Sequence, residues 1–181
     1  GWTMLLPATI RSITKTCIAT DNFKVKRRMT NSIYQQAKEI QQLAGKFLCE
    51  EGVNPYTDIE EWKEVQMHLA TCAEELLKQE GATPDEEGEI LLAVLMGYTV
   101  AVRKRKNIAV AMERANRVLK GIQDPLLKCK LAVLCYGECF DEELAAMAHQ
   151  LIEEQKLAGN EVAVSATEVL LLSIEESYAA V

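Results

Sequence analysis

Ile90-Leu91-Leu92-Ala93-Val94-Leu95-Met96-Gly97-Tyr98-Thr99-Val100-Ala101-Val102 is the longest uncharged apolar run in the chain, at 13 residues. Thr83-Pro84-Asp85-Glu86 stands shortly before it and reads as a helix start. The Thr oxygen takes a free backbone amide, and Pro occupies the first helical position, where no amide is missed. The helix that follows is apolar nearly all round, which places it at the centre of a core. It falls well short of the roughly 20 residues needed to cross a bilayer.

Amphipathic helices flank this centre. Upstream, Ile33, Ala37, Ile40, Ala44 and Phe47, with Leu48 or Cys49, make one apolar stripe, and Gly52 and Pro55 stop it. Thr57-Asp58-Ile59-Glu60 has the capping-box form and leads into Ile59, Trp62, Val65, Leu69, Cys72 and Leu76. Downstream, Arg103-Lys104-Arg105-Lys106 reads as the close of the central helix, four cations where the helix dipole favours them. Asn107 is the expected cap of a helix carried by Ile108, Ala111, Met112, Ala115, Val118 and Leu119 and ended by Gly121. Asp124-Pro125 opens a shorter one through Leu127, Leu131 and Leu134. Asp141 caps another, with Leu144, Ala148, Leu151 and Ile152 on one face, and Gly159-Asn160 breaks the chain before a last apolar segment ending near Tyr178. No strand or hairpin pattern intervenes, and the connections are short. The fold class is therefore all-α, a compact bundle of about six to eight mostly antiparallel helices. Without regular self-similarity, a globular bundle is expected rather than a solenoid.

Composition agrees. A chain of 181 residues, 49% hydrophobic and 26% charged, has the length and balance of one globular domain. Residues 1–30 hold Arg11, Lys15, Lys24, Lys26, Arg27 and Arg28 against Asp21 alone, a balance of +5, which leaves −12 on residues 31–181 of a chain at −7. An acidic body disfavours nucleic acid as the main ligand. It suits a basic protein partner, although solubility is the plainer account. Residues 1–28 read as a basic N-terminal extension ahead of a helical domain over 29–181. Met29 is a candidate start codon, which would make the extension non-native and Gly1 a cloning scar. The opening Trp2–Ile10 lacks a basic lead and is cut by Arg11, so no signal peptide is read and a cytoplasmic location is expected. Six cysteines in a chain this large are not a small-scaffold disulfide framework. Most of them sit at helical spacing among apolar residues, where a reduced Cys is a small hydrophobe.

The search for chemistry comes back empty. Cys135 and Cys139 are one helical turn apart, with Cys129 upstream and His149 downstream, but zinc ligands pair on a turn, so core packing is the better reading. Neither His68 nor His149 has a Glu three residues before it, as a di-iron bundle site requires. There is no G-x-S-x-G elbow and no glycine-rich phosphate loop. The Glu-Glu pairs read as solvated helix faces. No cofactor and no enzymatic activity are expected.

What carries specificity is a series of short motifs in order. Thr30-Asn31-Ser32-Ile33-Tyr34-Gln35-Gln36-Ala37 comes first, then Leu92-Ala93-Val94-Leu95-Met96-Gly97-Tyr98 and Asp124-Pro125-Leu126-Leu127-Lys128. Leu134-Cys135-Tyr136-Gly137-Glu138-Cys139-Phe140-Asp141-Glu142-Glu143-Leu144-Ala145 follows, with His149 shortly after. Together these resemble the UpxZ family over roughly Met29 to Glu154. The resemblance implies a regulator of capsular polysaccharide loci in gut bacteria that binds a NusG-like antiterminator, of the kind called UpxY, and stops it from assisting RNA polymerase. The basic stretch after Tyr98 departs from the family pattern.

In physical terms the last motif describes a tight junction between helices, with Gly137 allowing close approach or positive φ and Asp141 capping. Tyr136, Glu138, Glu142 and Glu143 are the partner-contact candidates there, because the junction would present polar groups at one bundle end. Arg103, Lys104 and Arg105 form a second candidate patch. Two alternatives stay open: a generic helical adaptor, and an RNA-binding regulator acting through Arg103–Lys106. A membrane partner is not expected, nor is nucleic acid as the main ligand. The sequence leaves the oligomeric state open.

Overall fold

The computed structural model describes residues 29–49, 58–101 and 103–180, and every regular element among them is helical. In order these are α1 (Met29–Cys49), α2 (Ile59–Leu77), α3 (Pro84–Val100), α4 (Arg105–Val118), α5 (Pro125–Cys139), α6 (Glu142–Leu157) and α7 (Glu161–Ala179). One 3-10 turn, Leu119–Gly121, lies between α4 and α5. The basic extension 1–28, the stop at Gly52 and Pro55, and Thr57 lie outside the described residues.

α3 is the centre that its sequence predicts. Thr83 caps it by accepting from the Glu86 amide at 3.2 Å, and every residue from Ile90 to Leu95 is buried. It packs against α1, α2, α4 and α5. Gly97 makes this crowding possible: a Cβ there would meet Ala73 Cβ and Ile40 Cγ2 at 3.4 Å, so α1 and α2 both close on α3 at this turn. α5 is the second buried helix. Asp124 caps it, accepting from the Leu126 and Leu127 amides at 2.9 and 3.4 Å, and Leu131 to Tyr136 are buried without interruption. It continues past Leu134 to Cys139, longer than expected.

Two buried polar groups fasten helices together. Glu89 of α3 accepts from Lys38 Nζ at 3.0 Å and Gln41 Nε2 at 2.8 Å, both on α1. Arg114 of α4 is buried. It donates to the Leu77 and Gln79 carbonyls at 2.6 Å each, which closes the end of α2, and it pairs with Glu87 of α3. Buried charges are tolerated when they are paired and hydrogen-bonded in this way. α6 and α7 run antiparallel, since Lys156 pairs with Glu168 and His149, two turns earlier, pairs with Glu175, two turns later.

Several local expectations need correction. The cap of α2 is Asp58, which accepts from the Glu60 amide at 2.9 Å. Ile59 begins the helix exposed, outside the buried stripe that starts at Val65. The four cations do not close α3: the chain leaves the helix at Ala101 in an extended conformation, and Arg105 and Lys106 form the first turn of α4. There they face the positive end of the dipole rather than the negative one. Asn107 is inside α4 and does not cap it; its side-chain amide donates to the buried Tyr98 hydroxyl at 2.8 Å, a group that needs a partner. Cys72 is not a reduced core thiol but is disulfide-bonded.

Candidate functional site

α5 and α6 meet through only two residues, and this junction gathers most of the candidates. Asp141 caps α6 by accepting from the Glu143 amide at 3.0 Å. Phe140 ends α5 in the left-handed region, at φ 53° and ψ 32°, with its N–H donating to the Tyr136 carbonyl at 2.8 Å. The positive φ thus falls on Phe140, whereas Gly137 serves close approach. A Cβ on Gly137 would lie 3.2 Å from Ile174 Cδ1, which marks how tightly α7 packs on the last turn of α5.

That approach assembles an aromatic cluster. The Phe140 ring stacks on Tyr178 of α7, with centroids 4.9 Å apart and planes at 16°. Tyr136 meets Phe140 edge-on at 6.0 Å. Phe140 and Tyr178 remain 40% and 48% exposed, so the stack is presented to solvent as well as packed. Tyr136 is only 3% exposed, so it supports the stack from beneath and does not itself reach a partner. Burial raises its phenol above the ordinary value, and the neighbouring charges of Glu175 and Glu142 push the same way.

Carboxylates surround the pair. Glu142 and Glu143 are exposed in the first turn of α6, where the helix dipole favours them. Glu138 is half-buried and ion-paired with Arg103, which brings the loop before α4 to the same end of the molecule. Lys104 turns elsewhere and pairs with Glu74 of α2, while Arg105 and Lys106 are exposed with no ion pair among the described residues. The structure therefore unites Tyr136, Glu138, Glu142, Glu143 and Arg103 at one junction and leaves Lys104 and Arg105 outside it. Sequence reasoning missed the role of Tyr178, which no local pattern links to Phe140 across 38 positions.

Cys129 and Cys135 are buried packing groups, whereas Cys139, expected in the core, is exposed at the end of α5. Cys139 donates to the Cys135 carbonyl at 3.3 Å and Cys129 to the Ala148 carbonyl at 3.7 Å. Burial pushes the Cys135 thiol up to about 12 and the Cys129 thiol up to about 11, so both stay protonated and are poor metal ligands. Among the described residues no group of three or more His, Cys, Asp or Glu converges to hold a metal ion, and no helix is long and apolar enough to cross a membrane.

Residues 37–137 match the sequence model of the UpxZ family of transcription anti-terminator antagonists. This chain belongs to that family. The fold agrees with a solved structure, that of a transcription anti-terminator antagonist UpxZ from Bacteroides uniformis ATCC 8492. The two share 27% sequence identity at a TM-score of 0.69, over 80% of this chain and 92% of the other. No curated protein matches the sequence. The matched segment ends at Gly137, within the last turn of α5, so the UpxZ region runs up to the junction that carries the exposed aromatic pair.

Proposed function

We propose that this UpxZ protein binds a NusG-like transcription antiterminator of the UpxY type and blocks its action, restricting expression of capsular polysaccharide operons. In this reading the contact face is the α5–α6 junction: the exposed Phe140–Tyr178 stack with Glu138, Glu142 and Glu143 at its rim. The protein acts by occupying its partner, without turnover. The observation that carries the reading is family membership, the family being one of antagonists of anti-terminators. The half-exposed aromatic stack supports the location, since aromatic side chains buried at the centre of an interface supply much of its binding energy. The acidic rim suits a basic protein surface. Arg103 and Lys104 are both neutralised by carboxylates of this chain, which counts against phosphate as the ligand of the 103–106 patch.

The test is capture by the purified protein from a panel of NusG-like antiterminators of the same genome, including the one encoded beside it. Selective capture of antiterminators from other loci is expected, with a Glu142→Lys/Glu143→Lys variant weakened about tenfold at unchanged folding. Capture of none by folded protein contradicts the reading.

A further inference from the structure

A groove of about 280 Å3 lies between the second turn of α1, the first two turns of α3 and the loop that joins α2 to α3. Ile33, Tyr34 and Ile90 give it an apolar lining, and Glu80, Glu86 and Glu89 bring carboxylates to it. Glu89 is already matched. It accepts from Lys38 Nζ at 3.0 Å, and the same ammonium lies 5.4 Å from the Tyr34 ring centroid. The Glu86 carboxylate accepts from the Ala82 amide at 2.8 Å. Glu80 and Glu86 are exposed, and neither has an ion pair among the described residues. The groove thus joins an apolar lining to two uncompensated negative charges.

The chain carries the complement beside it. Lys24-Val25-Lys26-Arg27-Arg28 holds four cations and one apolar residue and leads directly into Met29, the first residue of α1. The first turn of α1 has no acidic residue, so cations gathered at the positive end of its dipole need carboxylates from another element. Reach is sufficient. Tyr34 lies about 8 Å along the helix from Met29. Residues 24–28, extended, span about 16 Å. Exposed ion pairs are individually weak. A tether this short, however, supplies an effective concentration on the order of millimolar. That favours the chain's own segment over a free basic peptide, and over a second copy of a chain at −7.

We infer that Lys24–Arg28 folds back onto this groove, Val25 against Ile33, Tyr34 and Ile90 and the cations on Glu80 and Glu86. The segment straps the start of α1 to the α2–α3 loop, which makes the basic extension a structural part of the domain. The inference is independent of the antagonist reading, because the groove holds no residue of the α5–α6 junction.

The test is zero-length carbodiimide cross-linking of the full chain, with joined peptides read by mass spectrometry. The reagent activates a carboxylate, and a lysine amine in contact with it displaces the activating group to form an amide. Mixed isotopic labels separate products within a chain from those between chains. Lys104 and Glu74, which the structure pairs, are the internal control. Lys24 or Lys26 is expected to join Glu80 or Glu86 within one chain, at a yield unchanged by dilution. That yield falls about threefold between about 0.05 and 0.5 M salt. In Lys24→Ser/Lys26→Ser/Arg27→Ser/Arg28→Ser, the Ile33 and Ile90 methyl resonances shift while that of Ile152, buried on α6, stays fixed. Three results overturn the inference: the control product without any from Lys24 or Lys26 to Glu80 or Glu86, such products only between chains, or unmoved Ile33 and Ile90 methyls.

Discussion

Phe140 holds a backbone conformation, φ 53° and ψ 32°, that glycine would adopt without strain. For an L-residue this costs about 1–2 kcal/mol. Each aromatic contact, to Tyr178 and to Tyr136, returns about 0.5–1.5 kcal/mol. The two effects nearly cancel, so Phe140→Gly is expected to change unfolding stability by less than about 1 kcal/mol while reducing capture of the antiterminator. Urea melts and pull-downs on the same preparation check both halves. Arg114 behaves in the opposite way. Removing it takes the cation from half-buried Glu87 and the donors from the Leu77 and Gln79 carbonyls, so Arg114→Met should cost about 3 kcal/mol. Lys104→Met, which breaks the exposed pair with Glu74, should leave the urea midpoint unchanged.

Helices place these residues, and two glycines test how they pack. A Cβ on Gly88 of α3 would lie 2.8 Å from Ile122 Cδ1 and 3.3 Å from Leu127 Cδ2, whereas Gly45 of α1 faces open space beyond Met96 Cε. Gly45→Ala should stabilise by about 0.5–1 kcal/mol through helix propensity alone, and Gly88→Ala should destabilise by about 1–2 kcal/mol despite that gain. Thermal melts of the two variants separate them. On α2, half-buried His68 has its pKa lowered by desolvation. The unfolded chain then binds its proton more readily than the folded one. Stability conferred by neutral His68 is present above about pH 6.5 and is lost as pH falls toward the lowered folded value. A His68→Gln variant should lose less stability than the unmodified protein between pH 7 and 5, as read from urea midpoints.

The elements themselves were largely legible. Side-chain caps at Thr83, Asp124 and Asp141 and the apolar run Ile90–Val102 act through local chemistry, and local chemistry is visible in a sequence. The errors share one cause. Proximity to a helix end suggests that Arg103–Lys106 close α3 and that Asn107 caps α4, but Arg103, Lys104 and Asn107 are held by partners on other elements, Glu138, Glu74 and Tyr98.

At the scale of the whole molecule, an exposed basic stretch sits on an acidic chain of net charge −7, and two of its cations are paired with carboxylates of the same chain. What remains at the α5–α6 end is an aromatic pair ringed by carboxylates, beside a UpxZ match that covers residues 37–137. The motif order made the family readable and the junction's helix-capping role predictable. The stack was hidden, because it depends on α7 returning to the end of α5. The central claim is antagonism, and readthrough of a leader terminator by purified RNA polymerase with a NusG-like antiterminator measures it most directly. Added UpxZ protein is predicted to return readthrough to the level without antiterminator as it approaches one equivalent, and Phe140→Gly is predicted to do so only in excess. Readthrough that stays unchanged at several equivalents of folded protein, for every antiterminator of the panel, would contradict the account.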